Sequence, residues 1–397
     1  MLLKPGKTIS LDLPLLLLII SYALVSFAQL QRIQLSDHVA FYAHDFFISL
    51  FVLVTAILHH GSIVSFFKTK ILTKTVWKWL IIFLGWSILG LLVNQLITGI
   101  NYLPWLYLLR LIVYLSAGLL IYKIKEKNKP VHQWLALIFT ILMAILILFG
   151  FAQYLFLPDL RFLVSQGWDD HYYRLAGSML DPNFLGMMLM TGLLVWLFKI
   201  APNNTGRISI GILFIAGLLL TYSRSSYLVF FIIVVAVLFM KTNKTIVKKI
   251  KNPLLLLTTL FIFLIPFLPK PGGLGVDLGR TETITLRTNV DRDVLAQIKP
   301  QDLVIGKGLF VSTVNLGVKD QIVHANFPNN LLIFILVGTG IPGLGIFCYF
   351  LWQLLSQLYR KNELQFLLIL GILAHSMVNL TVLEPINLLI LMLAINI

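Results

Sequence analysis

The residues best suited to chemistry lie in Leu218–Leu228, LLLTYSRSSYL, within an apolar run from Ile208 to Met240 whose only charge is Arg224. Such a run exceeds one membrane crossing of roughly 20 residues, so it reads as two helices turning back at Ser223–Ser226. An Arg in hydrocarbon costs about 2.5–3.5 kcal/mol on insertion scales, so this one is expected to face protein or a water-filled cavity. Ser223, Ser225 and Ser226 beside it supply hydroxyl donors that suit phosphate oxygens. The chemistry this predicts is retention of an anionic, lipid-linked ligand, ahead of an arginine merely reaching for headgroups.

Further candidates follow the same logic. Arg174 precedes a Gly-Ser turn in RLAGSMLDPNFLG, where Asp181-Pro182-Asn183 reads as a helix start; on these residues alone, a loop arginine beside an N-cap explains the segment equally well. Arg110, in YLLRLIVYL, is either a substrate contact or the partner of Asp45 at similar depth. Arg161 carries a weaker signal. A polar stretch holds Arg280, Arg287 and Arg292 and ends in His324. Histidine suits proton transfer from a hydroxyl near neutral pH, although one beside a membrane surface is often unremarkable. Three patterns are discounted. Asp291-Arg292-Asp293 has a D-x-D spacing, a two-residue match on the face away from cytoplasmic nucleotide sugars. Ile305-Gly306-Lys307-Gly308 lacks the first glycine and the Ser/Thr of a P-loop. His375 and Asn379 share a helix face and read as an interhelical hydrogen bond.

The elements that must position these residues are membrane helices. Of 397 residues 58% are hydrophobic and 12% charged, which predicts an all-α polytopic membrane protein rather than a soluble one. The net charge of +15 is spread over short loops, not gathered on a soluble module, so no nucleic-acid partner is expected. The single cysteine, Cys348, excludes an intrachain disulfide or a cysteine-cluster metal site. Hydropathy predicts about twelve spans: 11–30, 39–58, 76–99, 103–122, 132–157, 184–200, 207–222, 225–241, 253–269, 330–354, 364–381 and 383–397. Alternate loops carry the lysines, for example Lys68, Lys70 and Lys74, then Lys123, Lys125, Lys127 and Lys129, which places both termini in the cytoplasm. The opposite loops hold most acids, the Ser223–Ser226 turn and one large extracytoplasmic loop, 270–329, between spans nine and ten of a single transmembrane domain, 1–397. A short surface helix is expected at Leu286–Ile298. Val337–Gly345, VGTGIPGLG, predicts a bend or a close approach. Lys4, Lys7 and Ser26-Phe27-Ala28 resemble a signal peptide, but the spans alternate best with the first one retained.

Four stretches in order resemble the bacterial O-antigen ligase / O-antigen polymerase superfamily of integral membrane glycosyltransferases, over roughly the second half of the chain. RLAGSMLDPNFLG is similar to R-x-x-G-x-x-x-x-P-N-x-x-(A/G), and LLLTYSRSSYL to T-x-S-R-(S/G)-x, the most specific of the four. LRTNVDRDVLAQIKPQDLVIGKGLF is similar to an outer-loop arginine helix followed by P-x-x-G-x-G. NNLLIFILVGTGIPGLGIF is similar to H-N-x-x-L-x-x-L-x-E-x-G-x-x-G-L. The resemblance implies a class C glycosyltransferase-like fold in the cytoplasmic membrane. It implies metal-independent transfer, with no cofactor, of a glycan from undecaprenyl pyrophosphate to an acceptor glycan or lipid on the outer face. Arg174, Arg224 and Arg287 fall on the pyrophosphate-binding positions, and a loop histidine, here His324, would activate the acceptor. The chain departs from the pattern where Asn329-Asn330 replaces H-N, Gly338 replaces the acid, and Asp291 replaces an aromatic. A transporter or lipid-linked glycan flippase is the alternative that twelve spans allow, against which the chain shows no internal repeat. A non-catalytic envelope scaffold is a third.

Overall fold

The structure, a computed structural model, describes residues 12–36, 39–58, 73–127, 131–166, 168–240, 245–311 and 327–397. His324 and the leader-like residues 1–11 lie outside them. The chain folds mainly into helices: α1 Leu13–Val25, α2 Ala43–Leu58, α3 Lys74–Thr98, α4 Leu103–Lys127, α5 Val131–Phe156, α6 Pro182–Val195, α7 Asn204–Leu220, α8 Arg224–Phe239, α9 Thr245–Leu264, α10 Glu282–Ala296, α11 Asp302–Ile305, α12 Leu331–Lys361, α13 Glu363–Asn379 and α14 Pro385–Ala394. Among the described residues, six are long and apolar enough to cross a membrane: α3, α4, α5, α6 with its π-helical end, α9 and α12. Six more, α1, α2, α7, α8, α13 and α14, are apolar but shorter. All twelve fall on the apolar stretches read from the sequence.

Two differences from the sequence reading are physical in origin. The all-α expectation is amended by a small antiparallel hairpin, β1 Arg32–Ser36 and β2 Val39–Tyr42, between α1 and α2. The surface helix α10 starts at Glu282, four residues before the expected Leu286, because Thr281 ends the preceding Gly-rich turn and its carbonyl accepts the first helical N–H groups.

The core sits around α6, whose residues from Leu185 to Val195 are all buried. It packs on α7, α8, α13 and α14. Gly186 and Gly192 permit two close approaches, since a Cβ would stand 2.4 Å from Ser226 Oγ of α8 at the first and 2.4 Å from the Phe214 ring of α7 at the second. In α12 the expected bend is present. Gly340 has φ +69, Pro342 follows, and the freed carbonyls of Val337 and Gly338 accept from Lys307 N (2.8 Å) and Gly308 N (3.0 Å). A helix broken inside an apolar layer needs such replacement partners. The glycine-rich turn after α11 supplies them, and so fastens the segment carrying α10 and α11 to the membrane helices.

Candidate functional site

The site is built on the turn Thr221–Ser223 joining α7 to α8. A helix ends with unpaired carbonyls and a partial negative charge. Here each is met: Leu219 O by the Tyr227 hydroxyl, Leu220 O by Leu175 N (2.8 Å), Thr221 O by Arg174 Nε (2.9 Å) and Tyr222 O by Arg280 Nη2 (3.2 Å). Tyr222 has φ +50, a left-handed conformation costly for an aromatic residue; the tyrosine before Arg174, Tyr173, has the same φ. Ser223 then caps α8 by accepting from Ser226 N (3.3 Å).

Arg224, the first residue of α8, is half-buried. It donates to the carbonyl of Arg280 and to Thr283 Oγ1 (2.7 Å), which ties the turn to the start of α10. Arg280 is buried and also donates to Gly275 O (2.8 Å) and Asp277 O (2.6 Å). Arg287, one turn into α10, is half-buried and donates no hydrogen bond to a described residue. Arg174 is buried beneath Gly275, and its Nη2 has no partner.

Three of these cations are perturbed by burial and by their guanidinium neighbours. Burial lowers the Arg174 pKa to about 10, with Arg280 and Arg287 adding to the fall and Asp181 opposing it. Arg280 is lowered by burial, then by Arg224 and Arg287. Arg287 is lowered by burial against the pull of Asp181 and Asp169. Thus the structure brings Arg174, Arg224 and Arg287 into one electrostatic neighbourhood and adds Arg280, which the sequence reading noted without selecting. His171 is a second addition. The short pairing of Asp159 with Tyr172, and of Leu160 N with His171 O (2.9 Å), turns its ring inward. Only 4% of it is exposed, neither ring nitrogen has a partner, and burial and then Arg174 lower its pKa to about 4. Nothing in the spacing of Arg280 or His171 marks them; both are found only through what they pack against.

Beneath the cluster, the serines lead into a buried polar network. Ser223 Oγ donates to Asn183 Oδ1 (2.9 Å), while Ser225 and Ser226 Oγ lie 3.1 and 3.2 Å from His375 Nε2. Asn379 Nδ2 donates to Ser225 Oγ (2.8 Å), so His375 and Asn379 do bridge helices, from α13 to α8.

Arg110 is elsewhere. It forms an ion pair with Asp45 (2.8 Å), donates to Ala40 O (2.9 Å) and faces Tyr42 and Tyr107; Tyr114 also donates to Asp45. Arg161 pairs with Asp159 in the open (2.7 Å). The two acids of Asp291-Arg292-Asp293 diverge: Asp291 turns to Asn329, while exposed Asp293 lies 4.0 Å from Arg292. A cavity of about 270 Å³ opens between α3, α4, α12, α13 and α14, lined by apolar side chains such as Trp77, Leu84, Phe334, Phe350 and Met392.

Residues 209–348 match the family model described as O-antigen ligase. The match spans α7, α8, the segment with Arg280 and Arg287, and the bend of α12, but not Arg174. No curated protein matches the chain. That match lies over the turn and the arginine helix just described, so across these residues the chain is similar to the O-antigen ligase family.

Proposed function

We propose that the chain is a glycosyltransferase that transfers or polymerises an undecaprenyl-pyrophosphate-linked oligosaccharide on the outer face of the cytoplasmic membrane. The product forms on an acceptor glycan or lipid. In this reading the twelve apolar helices span the membrane with both termini in the cytoplasm, and the arginine cluster faces out.

The observation that carries the reading is the crowding of guanidinium groups at one turn. Arg174, Arg280 and Arg287 have pKa values lowered by burial and by neighbouring guanidiniums, Arg287 donates no hydrogen bond to a described residue, and Arg174 Nη2 is unpartnered. Bringing in an anion relieves that repulsion. A diphosphate suits it because guanidinium binds phosphate oxygens bidentately and stays charged. A polyprenyl tail suits the apolar cavity. As the glycosidic bond breaks, negative charge grows on the leaving diphosphate, and donors already in place stabilise it without reorganising. The guanidiniums supply the positive charge, so the reaction calls for no metal.

The test is purified protein with undecaprenyl-pyrophosphate oligosaccharide, followed by product length or acceptor labelling. Arg224→Ala is expected to abolish transfer while membrane insertion is kept. Arg287→Ala, which breaks no hydrogen bond to a described residue, is expected to cut it steeply in a protein that folds as before. Normal product from both variants would contradict the reading.

A further inference from the structure

Glycosyl transfer to a hydroxyl needs a group to take the hydroxyl's proton. Four carboxylates lie near the arginines, of which exposed Asp277 is turned to Gly279 N (2.8 Å). Asp181 is the N-cap of α6, its Oδ1 holding the N–H groups of Asn183 and Phe184. Asp169 is already engaged by a neighbour. Asp291 differs from all three. It is four residues after Arg287 on α10, so the two side chains share a helix face. It is half-buried at the start of α12, where its Oδ1 accepts from Asn329 N (2.8 Å). A carboxylate has about four lone-pair sites, and the N–H groups of Asn329 and Asn330 leave about two of them uncommitted.

The surroundings of Asp291 are those of a base rather than of a structural ion. From its own helix it meets Arg287; from the start of α12 it meets the N–H groups of Asn329 and Asn330. All three favour the charged form. Burial nevertheless outweighs them and holds the carboxyl above its ordinary range, so its affinity for a proton is increased where a donor's leaving group would be held.

We infer that Asp291 is the catalytic base that deprotonates the acceptor hydroxyl, an assignment that rests on the glycosyltransferase reading. The acceptor oxygen forms a bond to the anomeric carbon as the bond from that carbon to the diphosphate oxygen breaks. The electron pair of the broken bond leaves with the diphosphate, facing Arg287. The hydroxyl proton passes to an uncommitted lone pair of the Asp291 carboxylate, and from there to water at the outer face.

Asp291→Asn separates this role from anchoring, because the amide oxygen still accepts from Asn329 N while the basic group is gone. Its kcat is expected to fall about 100-fold or more, the usual share of general base catalysis, with KM for the lipid-linked donor within about threefold of the wild type. The wild-type kcat should fall as the pH drops through the Asp291 pKa, and Asp291→Glu should keep that acid limb at a reduced rate. An Asp291→Asn enzyme with near-normal kcat would overturn the assignment. So would an acid limb that persists in Asp291→Asn but vanishes in His324→Gln, which places the base at His324. Either result leaves the donor site intact if Arg224→Ala is still inactive. A wild type with no transfer from any lipid-linked diphosphate glycan overturns the parent reading, and this inference with it.

Discussion

Gly306→Ala tests how the arginine helix is held over the membrane helices. Gly306 has φ +79 and ψ 175, a conformation almost confined to glycine and costing another residue about 1–3 kcal/mol. A Cβ there would stand 2.4 Å from the carbonyl of Gly338 and from Thr339 N, all backbone atoms of α12 that cannot rotate aside. The turn must therefore withdraw, giving up Lys307 N to Val337 O and Gly308 N to Gly338 O. At about 1 kcal/mol each, those bonds and the strained φ together cost roughly 3–5 kcal/mol. At 1.4 kcal/mol per decade, local opening becomes roughly 100-fold or more easier. Hydrogen–deuterium exchange of a peptide covering 302–311, in detergent or nanodiscs, reads this directly. Gly85→Ala on α3 is the control, because a Cβ there meets nothing within 4 Å. Transfer activity should fall with the loosening, since α10 carries Arg287 and Asp291. Exchange in Gly306→Ala no faster than in Gly85→Ala would refute the docking argument.

Other expectations follow from single contacts. Arg110→Met and Asp45→Asn should each destabilise the protein by about 3–5 kcal/mol through an orphaned charge, and the double variant by less than their sum; a thermal-shift double-mutant cycle measures the coupling. Burial and Arg174 lower the His171 pKa from 6.5 to about 4, so the folded ring stays neutral where the unfolded one charges. Its contribution, roughly 3 kcal/mol at 1.36 per pH unit, is complete above pH 6.5 and lost as the pH falls to about 4. Acid melts of His171→Phe, which should lose part of that dependence, check it. Gly186→Val should force α6 from α8 and disrupt the Ser226–His375 contact, seen as a lower melting temperature and reduced transfer.

The sequence made legible what depends on local pattern. Apolar runs marked the helices, Ser223-Arg224 marked a turn inside one of them, and VGTGIPGLG marked the break in α12 that Gly340 and Pro342 produce. What depends on packing was not legible. Arg280 looks like Arg292 in the chain, yet one is buried on Tyr222 O and the other is exposed. Arg110 read equally as a substrate contact or as a partner of Asp45, and only the approach of α2 to α4 shows it paired. His171 carried no sequence signal because its ring is turned inward by a loop pairing of Leu160 with its own carbonyl. Asp291 stood out only in a discounted D-x-D spacing and as a departure from a family pattern, and its partner Asn329 lies 38 positions away, across the outer segment.

The most direct measurement of the central claim is the structure of the protein in nanodiscs with a non-transferable undecaprenyl-diphosphate glycan bound. The account predicts diphosphate density within hydrogen-bond reach of Arg224 and Arg287, the prenyl chain running into the apolar layer, and the sugar toward Asp291. Diphosphate held at Arg110, or at the lysine-rich loops of the opposite face, would contradict it.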